Sequence, residues 1–174
     1  PEAIGNVKGF ISENSKITPS TPYAISHLTQ DLTLLAYYKF NKFPFVISRF
    51  SNFYGPHQQP YRIIPKTLYC IFNKKKLSLH GGGKAIRSFI YIDDFCEGIY
   101  QSMTKGKLGE IYNFTNREYV KIVWLVKKIC FLTSINFNKV AKITKDRPTK
   151  DHSYKMNPIK AEKAFNWKPI YSIE

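Results

Sequence analysis

Segments with helical spacing of apolar residues alternate with short β-branched and aromatic runs along the whole chain. The stretch PYAISHLTQDLTLLAYYKFNK (22–42) has helical spacing, and FPFVISRF (43–50) is typical of a buried strand. Further strand patterns are LSLHGGG, RSFIYI, EIYNF and KVAKITK, and further helix patterns are RIIPKTLYCIFNK, DDFCEGIYQSMTKG, EYVKIVWLVKKICFL and NPIKAEKAFNW. This order predicts an α/β fold with a parallel sheet component and a more irregular cap.

The longest helix is predicted to begin at about Pro22. The Thr21 hydroxyl can accept a hydrogen bond from a backbone N–H of the first turn, and the fixed φ of proline suits the first helical position. Side chains four residues apart share a helix face, so Tyr23 and His27 are within reach of each other or of one ligand. A loop-packing tyrosine and a half-exposed histidine fit the same spacing. The helix is expected to present an apolar stripe: Leu28, Leu32, Leu35 and Ala36.

The polar segment SNFYGPHQQPY (51–61) follows the first predicted strand, and its glycine and prolines predict a loop. Ligands of open α/β sheets bind at the carboxyl ends of the strands, which is where this loop is expected. Farther along, the pattern changes from strand to helix at Asp93 and Asp94. Carboxylates there are expected to favour the start of the helix.

The chain of 174 residues carries a formal net charge of +15, from 27 Lys and Arg against 12 Asp and Glu, and such a charge by itself raises nucleic acid or an anionic surface as a partner. Of the cations, 22 are lysines, and they are scattered except for KKK (74–76) and KK (127–128). Proteins that read bases depend more on arginine forks. We therefore interpret the charge as a solvated surface and predict no nucleic-acid partner.

The cysteines Cys70, Cys96 and Cys130 are odd in number, widely spaced and set among apolar neighbours. This pattern predicts buried free thiols in a reducing compartment, with neither a disulfide framework nor a metal site. The longest apolar candidate, IVWLVKKICFL, is interrupted by Lys127 and Lys128 and is shorter than a membrane span. The sequence therefore predicts a cytoplasmic protein without a membrane partner.

Several stretches, in order, resemble one family, the extended short-chain dehydrogenase/reductases, and within it the nucleotide-sugar 4,6-dehydratases. STPYAISH resembles the family's Ser-Ser-Pro-Tyr-x-x-x-Lys, and ISRFSNFYGPHQQP resembles its Arg-x-Ser-Asn-Asn-Tyr-Gly-Pro loop. LHGGGKAIRSFIYIDD resembles its Gly-Asp-Gly-x-x-x-Arg segment, GEIYNFTNRE a later strand, and DRPTKDHSYKMNPIKAEKAFNWKP its Asp-Arg-Pro stretch. The match covers nearly the whole chain.

The resemblance implies a Rossmann-like NAD-binding fold joined to a small α/β substrate-binding domain. The family's Gly-x-x-Gly-x-x-Gly turn, which faces the cofactor pyrophosphate, has no counterpart here, since GGG (81–83) follows a late strand. The chain is therefore expected to be a fragment that corresponds to the C-terminal half to two-thirds of the enzyme. Residues 1–60 are assigned to the remainder of the Rossmann-like domain. Residues 61–174 are assigned mainly to the substrate-binding region, with a return strand to the sheet near 88–92.

The resemblance implies catalytic roles for Tyr23, His27 and Glu2. In the family the tyrosine acts as a base on the sugar 4-hydroxyl while NAD takes the hydride, and a lysine four residues later lowers the tyrosine's pKa. His27 stands at that lysine, and both Tyr23 and His27 are expected to contact NAD. Glu2 stands at the family's glutamate base, and Pro1 replaces the acid that protonates the leaving hydroxyl.

Substrate contacts to a nucleotide-diphosphate sugar are also implied by motif matches. The matching residues are Asn52, Arg62, Ile63, Arg87, Asn116 and Arg147. His80 stands at a base-stacking tyrosine, and Phe53 replaces an asparagine of the family. Arginines from separate loops suit a diphosphate, because guanidinium forks bind its oxygens bidentately.

Two classes of function stay open at this point. The first is a nucleotide-sugar 4,6-dehydratase, which in its full-length family is a homodimer. The second is a non-catalytic relative that binds a sugar nucleotide or a protein partner. A UDP-sugar epimerase or decarboxylase is the alternative within the enzyme class, and DRPTKD argues against it.

Overall fold

A computed structural model of the protein describes residues 9–146, 153 and 155–174. The order of its helices and strands determines where the cavity described below lies. The helices are α1 (Pro22–Asn41), α2 (Ile63–Phe72), α3 (Ile92–Lys105), α4 (Ile122–Leu132), α5 (Phe137–Val140) and α6 (Ile159–Phe165). The strands are β1 (Ile47–Phe50), β2 (Asn52–Tyr54), β3 (Leu77–His80), β4 (Ile86–Arg87), β5 (Phe89–Tyr91), β6 (Ile111–Phe114), β7 (Val120–Lys121) and β8 (Ala141–Thr144). A 3-10 turn, Gly81–Gly83, follows β3.

The strands form four pairs, and three of them are parallel. β1 pairs with β6, β2 with β5 and β3 with β8 in parallel, whereas β4 and β7 are antiparallel. The prediction of an α/β chain with parallel strands is confirmed. The prediction of a continuous loop over 51–61 is wrong in its first part, because Asn52–Tyr54 is a strand. Its composition is polar, but its backbone is paired with Phe89–Tyr91 of β5.

Helix α1 begins where the sequence predicts. The Ala24 N–H donates to Oγ1 of Thr21 at 3.1 Å, and Pro22 occupies the first turn. The expected apolar stripe, however, is not buried. Ala24 is the buried residue of this helix, while the Leu32 side chain is 54% exposed and Leu35 is 36% exposed. Apolar spacing predicted the helix correctly, but of the expected stripe the described elements cover only Leu28 in part.

One core lies between β1, β6, α3 and α6. Its buried members are Ile90, Tyr112, Phe114, Ala161, Phe165 and Trp167. The Phe50 and Phe114 rings stack across the strand pair at 4.6 Å between centroids. Gly98 of α3 lies beneath them, where a Cβ would approach both rings to 3.0 Å. A glycine at this point lets α3 pack directly onto the aromatic stack.

A second group of buried residues packs between α2, α4 and the β3–β8 pair. Its members are Cys70, Leu77, Leu79, Val126, Cys130 and Val140. Cys70 and Cys130 are buried as predicted, but the prediction is wrong for Cys96, which is exposed. Cys96 lies on α3, where apolar neighbours in sequence do not share its face of the helix.

Helices α2 and α4 end in the same way. Lys74 (φ 51°) and Ser134 (φ 55°) adopt the left-handed conformation just after the two helices. The next residue then donates its N–H back into the helix, Lys75 to the Cys70 carbonyl at 2.8 Å and Ile135 to the Cys130 carbonyl at 2.9 Å. Cys70 and Cys130, each two residues before the end of its helix, belong to the same buried cluster, so the carboxyl ends of both helices lie at the same end of this core.

The carboxyl-terminal segment is held by Asp94 of α3. The Asp94 side chain accepts the N–H of Ile170 at 2.9 Å and that of Tyr171 at 3.1 Å, and its carbonyl accepts Nε1 of Trp167. Asp93 and Asp94 do lie in the first turn of α3, which begins at Ile92. The buried Asp94 carboxylate therefore binds the chain end. Among the described residues, no helix combines the length and the apolarity needed to cross a membrane.

Candidate functional site

A cavity of about 530 Å³ opens beside the carboxyl end of β1. Helix α1 forms one wall, β1 and β2 form the floor, and the start of α2 together with β4 closes the other side. The lining residues are Tyr23, His27, Asp31, Ile47, Ser48, Arg49, Phe50, Ser51, Asn52, Phe53, Gln58, Tyr61, Arg62, Ile63, Ile64, Arg87, Phe89 and Ile122. Elements far apart in sequence therefore meet at a single concave surface.

Six of the residues predicted from motifs line this cavity: Tyr23, His27, Asn52, Arg62, Ile63 and Arg87. Their position together is an observation of the fold, while the ligand that each contacts stays a prediction. Glu2 and Arg147, together with Pro1, lie outside the described residues. His80 and Asn116 are described but do not line the cavity.

Tyr23 and His27 present adjacent rings from the first turns of α1. Their centroids are 4.5 Å apart with the planes at 75°, an edge-to-face contact. The Tyr23 side chain is 58% exposed and faces the cavity. Because the imidazole is packed against the phenol, the pair forms one aromatic wall from which a hydroxyl and a ring nitrogen are available to a ligand.

The cationic side of the cavity is built from Arg62 and Arg87. Arg62 precedes α2, is exposed, and its guanidinium lies 5.4 Å from the Tyr61 ring centroid. Nη1 of Arg87, on β4, donates to the Ile86 carbonyl at 2.7 Å, which fixes the direction of its side chain. The first turn of α2 contains no acidic residue and has no side-chain cap. The positive end of a helix and two guanidinium groups therefore face the same space.

Asn52 occupies the first position of β2. Its Nδ2 donates to the Ser88 carbonyl at 3.3 Å, so part of its amide ties β2 to the segment that precedes β5. The Oδ1 atom has two lone pairs for a ligand on the cavity side. Phe53, next along β2, packs on Phe95 with centroids 4.5 Å apart.

An ion pair behind the aromatic wall was missed by the sequence analysis. Nη2 of Arg49 donates to Oδ2 of Asp31 at 2.7 Å, with side-chain exposures of 8% and 17%. The Nε and Nη1 atoms of Arg49 and Oγ of Ser51 are buried without a hydrogen-bond partner. Asp31 follows His27 by four residues, so helical spacing alone would have placed it on the same face. Buried polar groups at a cavity wall are suited to bind a polar ligand.

Asn116 forms hydrogen bonds with residues outside the cavity lining. Its Nδ2 donates to Oε2 of Glu118 at 3.0 Å, and its own carbonyl accepts Oγ of Ser88. Burial would raise the pKa of the Glu118 carboxyl, but hydrogen bonds from Asn116, Ile173 and Ser172 outweigh it and lower that pKa. This cluster links three loop segments. The predicted sugar-nucleotide contact of Asn116 stays a prediction.

His80 lies at the carboxyl end of β3, half-buried. Its Nδ1 is 3.1 Å from Oγ1 of Thr144 and 3.4 Å from the Lys145 carbonyl, so the ring is tied to the end of β8. The glycine turn that follows is tightly packed, since a Cβ on Gly83 would lie 2.9 Å from the Val123 nitrogen. The predicted stacking of a base on His80 stays a prediction.

Comparison with known proteins gives these geometric observations a family context. The profile of the "NAD dependent epimerase/dehydratase family" matches residues 2–114. The chain belongs to this family. Human dTDP-D-glucose 4,6-dehydratase is 34% identical to it over an alignment of 172 positions, and the alignment covers 95% of this chain and 48% of the human protein. The chain spans about half the length of the curated relatives that it matches.

Solved structures of the epimerase/dehydratase family share the fold. The dTDP-glucose 4,6-dehydratase DesIV from Streptomyces venezuelae, crystallised with NAD and TYD bound, superposes with a TM-score of 0.94 at 28% identity. The match covers 98% of this chain and 53% of DesIV. The dTDP-glucose 4,6-dehydratase from Bacillus anthracis, in complex with NAD, gives a TM-score of 0.93 at 32% identity, covering 99% of this chain and 55% of that one. The mixed α/β fold with parallel strand pairs is thus the Rossmann-like fold of these dehydratases.

Proposed function

We propose that this chain forms the substrate-binding side of a nucleotide-sugar 4,6-dehydratase that acts on dTDP-glucose or a similar sugar nucleotide. The observation that carries the proposal is that one cavity gathers the motif residues of α1, β2, α2 and β4. The relatives named above are dTDP-glucose 4,6-dehydratases, which supports this substrate class. A homodimer and the division into 1–60 and 61–174 remain predictions.

The diphosphate of the substrate is assigned to the cationic side. Arg62, Arg87 and the N–H groups at the start of α2 converge on the cavity. Charge-assisted hydrogen bonds of this kind each contribute about 1.5–3 kcal/mol. The predicted contact of Ile63 is explained by its position in the first turn of α2, where its backbone N–H has no partner within the helix.

The sugar is assigned to the aromatic wall. The Tyr23 hydroxyl is the group that would take the proton from the sugar 4-hydroxyl, and His27 orients the phenol through its ring contact. Bound NAD would supply hydride acceptance in the full enzyme. The described residues fit this cofactor in part. The unpartnered Arg49 and Ser51 groups suit a polar ligand, but the Gly81–Gly83 turn meets α4 at Gly83 and leads into β4, so it opens no long helix.

Binding of the nucleotide tests the diphosphate assignment directly. Titration calorimetry of dTDP into the 174-residue chain is expected to give saturable binding, and Arg62→Gln or Arg87→Gln should each weaken it about 10–150-fold. Arg117→Gln is the matched control, because Arg117 pairs with Glu162 outside the cavity. Equal losses for all three variants would contradict the assignment, as would an absence of dTDP binding. Tighter binding of UDP than of dTDP would favour the epimerase alternative.

A non-catalytic sugar-nucleotide binder is the second candidate, and the Tyr23–His27 contact favours it. An imidazole at the family's lysine position is shorter than a lysine side chain and lacks its ammonium group. The test joins this chain to the NAD-binding half of the human relative and measures 4-keto-sugar formation for the parent and for His27→Lys. A parent that is inactive and becomes active with His27→Lys supports the binder. A parent that is active and unchanged by the substitution supports the enzyme.

A further inference from the structure

Half of the chain contains no acidic residue. No Asp or Glu occurs between Leu32 and Ile92, or between Tyr119 and Lys145. These two stretches supply α2, β3, α4, α5 and β8, which pack on one another. The positive charge of these two stretches is therefore not compensated by carboxylates within them, although the lysines appear scattered in the sequence.

The carboxyl ends of α2 and α4 bring part of this charge together. We call this surface the basic tip and define it by Phe72, Phe131, Leu132 and the lysines that flank them, Lys74, Lys75, Lys76, Lys127 and Lys128. Among the described residues, no ion pair involves these lysines. Nζ of Lys75 and of Lys76 contact only neutral oxygens, those of the Tyr69 hydroxyl and the Asn138 carbonyl.

Large apolar side chains project from the same surface. Phe72 is 77% exposed, Phe131 is 78% exposed and Leu132 is 69% exposed. They lie in the last turns of the two helices, and the left-handed residues Lys74 and Ser134 turn the backbone away directly after them. Apolar groups surrounded by lysines are typical of a surface that enters the interface of an anionic lipid bilayer.

We propose that the basic tip docks the protein on an anionic membrane surface, with Phe72, Phe131 and Leu132 inserted among the headgroups and the lysines on the lipid phosphates. This differs from the sequence-based predictions of a solvated lysine surface and of no membrane partner. The tip contains no arginine, whose planar fork would favour a nucleic-acid partner, and its aliphatic Leu132 has no face on which a base could stack.

The position of the tip is compatible with an open cavity. Arg62 and Ile63 line the cavity at the start of α2, whereas Phe72 ends the same helix. Ten helical residues separate the two ends by about 15 Å. Docking through the tip therefore leaves the nucleotide site exposed to solvent.

Flotation with vesicles tests the proposal on the intact chain. We expect binding to vesicles of 70% phosphatidylcholine and 30% phosphatidylserine and none to pure phosphatidylcholine. Changing Lys74, Lys75 and Lys76 together to Gln should lower the partition coefficient about 100-fold, from about fivefold per lysine. Phe72→Ser and Phe131→Ser should each lower it about tenfold, from the lost apolar insertion.

The controls distinguish vesicle binding through the basic tip from binding through the overall net charge of +15. The triple change of Lys105, Lys163 and Lys168 to Gln removes the same charge from α3, α6 and the segment after α6. An equal loss in this control would overturn the proposal, and so would unchanged binding of both Phe variants.

A nucleic-acid partner is tested by measuring the binding of a 20-nucleotide thymidine oligomer with fluorescence anisotropy. Oligonucleotide binding that depends on the tip, without vesicle binding, would identify a nucleic-acid surface instead. Unchanged melting temperatures are required of all variants, whose substituted side chains are exposed. Both lysine triples lose Nζ hydrogen bonds, those of Lys75 and Lys76 in the tip and that of Lys105 in the control.

Discussion

Nη2 of Arg49 and Oδ2 of Asp31 lie 2.7 Å apart and connect β1 to the middle of α1. Arg49 is 8% exposed, and the Asp31 carboxylate is the counter-ion that balances its buried positive charge. The pair therefore ties the helix of the aromatic wall to the floor of the cavity.

Removal of Asp31 is expected to destabilise the chain strongly. Asp31→Ala leaves a buried guanidinium without its counter-ion, which typically costs about 3–5 kcal/mol. The double variant Asp31→Leu with Arg49→Met should recover most of the loss, because it removes both charges. Urea unfolding measures each variant, and Glu162→Gln, which breaks the exposed pair with Arg117, serves as the control with little effect. A double variant as unstable as Asp31→Ala would contradict the argument.

Thiol accessibility is expected to differ among the three cysteines. Cys96 is exposed, whereas Cys70 and Cys130 are buried and burial raises the pKa of the Cys130 thiol. Reaction of the native chain with a maleimide should therefore label Cys96 alone, and reaction in urea should label all three. Peptide mass spectrometry identifies the sites. Rapid native labelling of Cys70 or Cys130 would mean that the core between α2 and α4 opens readily.

The glycine turn after β3 offers a matched pair of substitutions. Gly82 (φ +66°) and Gly83 (φ +65°) share a left-handed backbone, but a Cβ on Gly82 meets nothing within 4 Å. On Gly83 it would lie 2.9 Å from the Val123 backbone nitrogen. Gly82→Ala should thus cost about 1 kcal/mol, and Gly83→Ala at least about 2 kcal/mol. Equal unfolding midpoints for the two variants would show that the backbone of α4 shifts at Val123 to make room for the added methyl group.

The Lys160–Glu110 pair is expected to contribute to the acid limb of stability. A hydrogen bond from Lys160, at 2.7 Å, lowers the pKa of the Glu110 carboxyl below its ordinary 4.5. Its stabilisation is therefore present above the ordinary pKa and lost as the pH falls through the lowered one. Lys160→Met should move the Glu110 pKa back up in a carbon-13 NMR titration. Lys107→Met, which removes a contact at 4.0 Å, should move it less.

Local chemistry made part of the fold predictable. The start of α1 at Pro22 follows from contacts among Thr21, Pro22 and Ala24, all within one turn. Strand β2 was missed because its stability comes from Ser88 and the β5 backbone, which lie far along the chain. The exposure of Leu32 could not be predicted either, since apolar spacing does not identify what covers a helix face.

Some residues of the candidate site could likewise be predicted from the sequence, and others could not. Tyr23, Arg62 and Arg87 belong to motif segments, and the fold brings them to one cavity. Arg49 sits within FPFVISRF, where the strand pattern predicts burial but gives no sign of the carboxylate on α1. His80, which also belongs to a motif, is tied to Thr144 away from the cavity, because β3 pairs with β8 and not with β1.

The strand pairing has a consequence for how the chain reaches this structure. Among the described strands, none pairs with the next strand in sequence: Ile47 of β1 pairs with Ile111, and Leu77 of β3 pairs with Ala141. Hairpins, which form within about 1–10 μs, are therefore absent from the described sheet pairs and cannot nucleate folding. High contact order of this kind slows folding towards the millisecond-to-second range. On the ribosome, the β3–β8 pair cannot form until the chain has emerged beyond Thr144, so α2 and β3 must wait with their apolar faces in water.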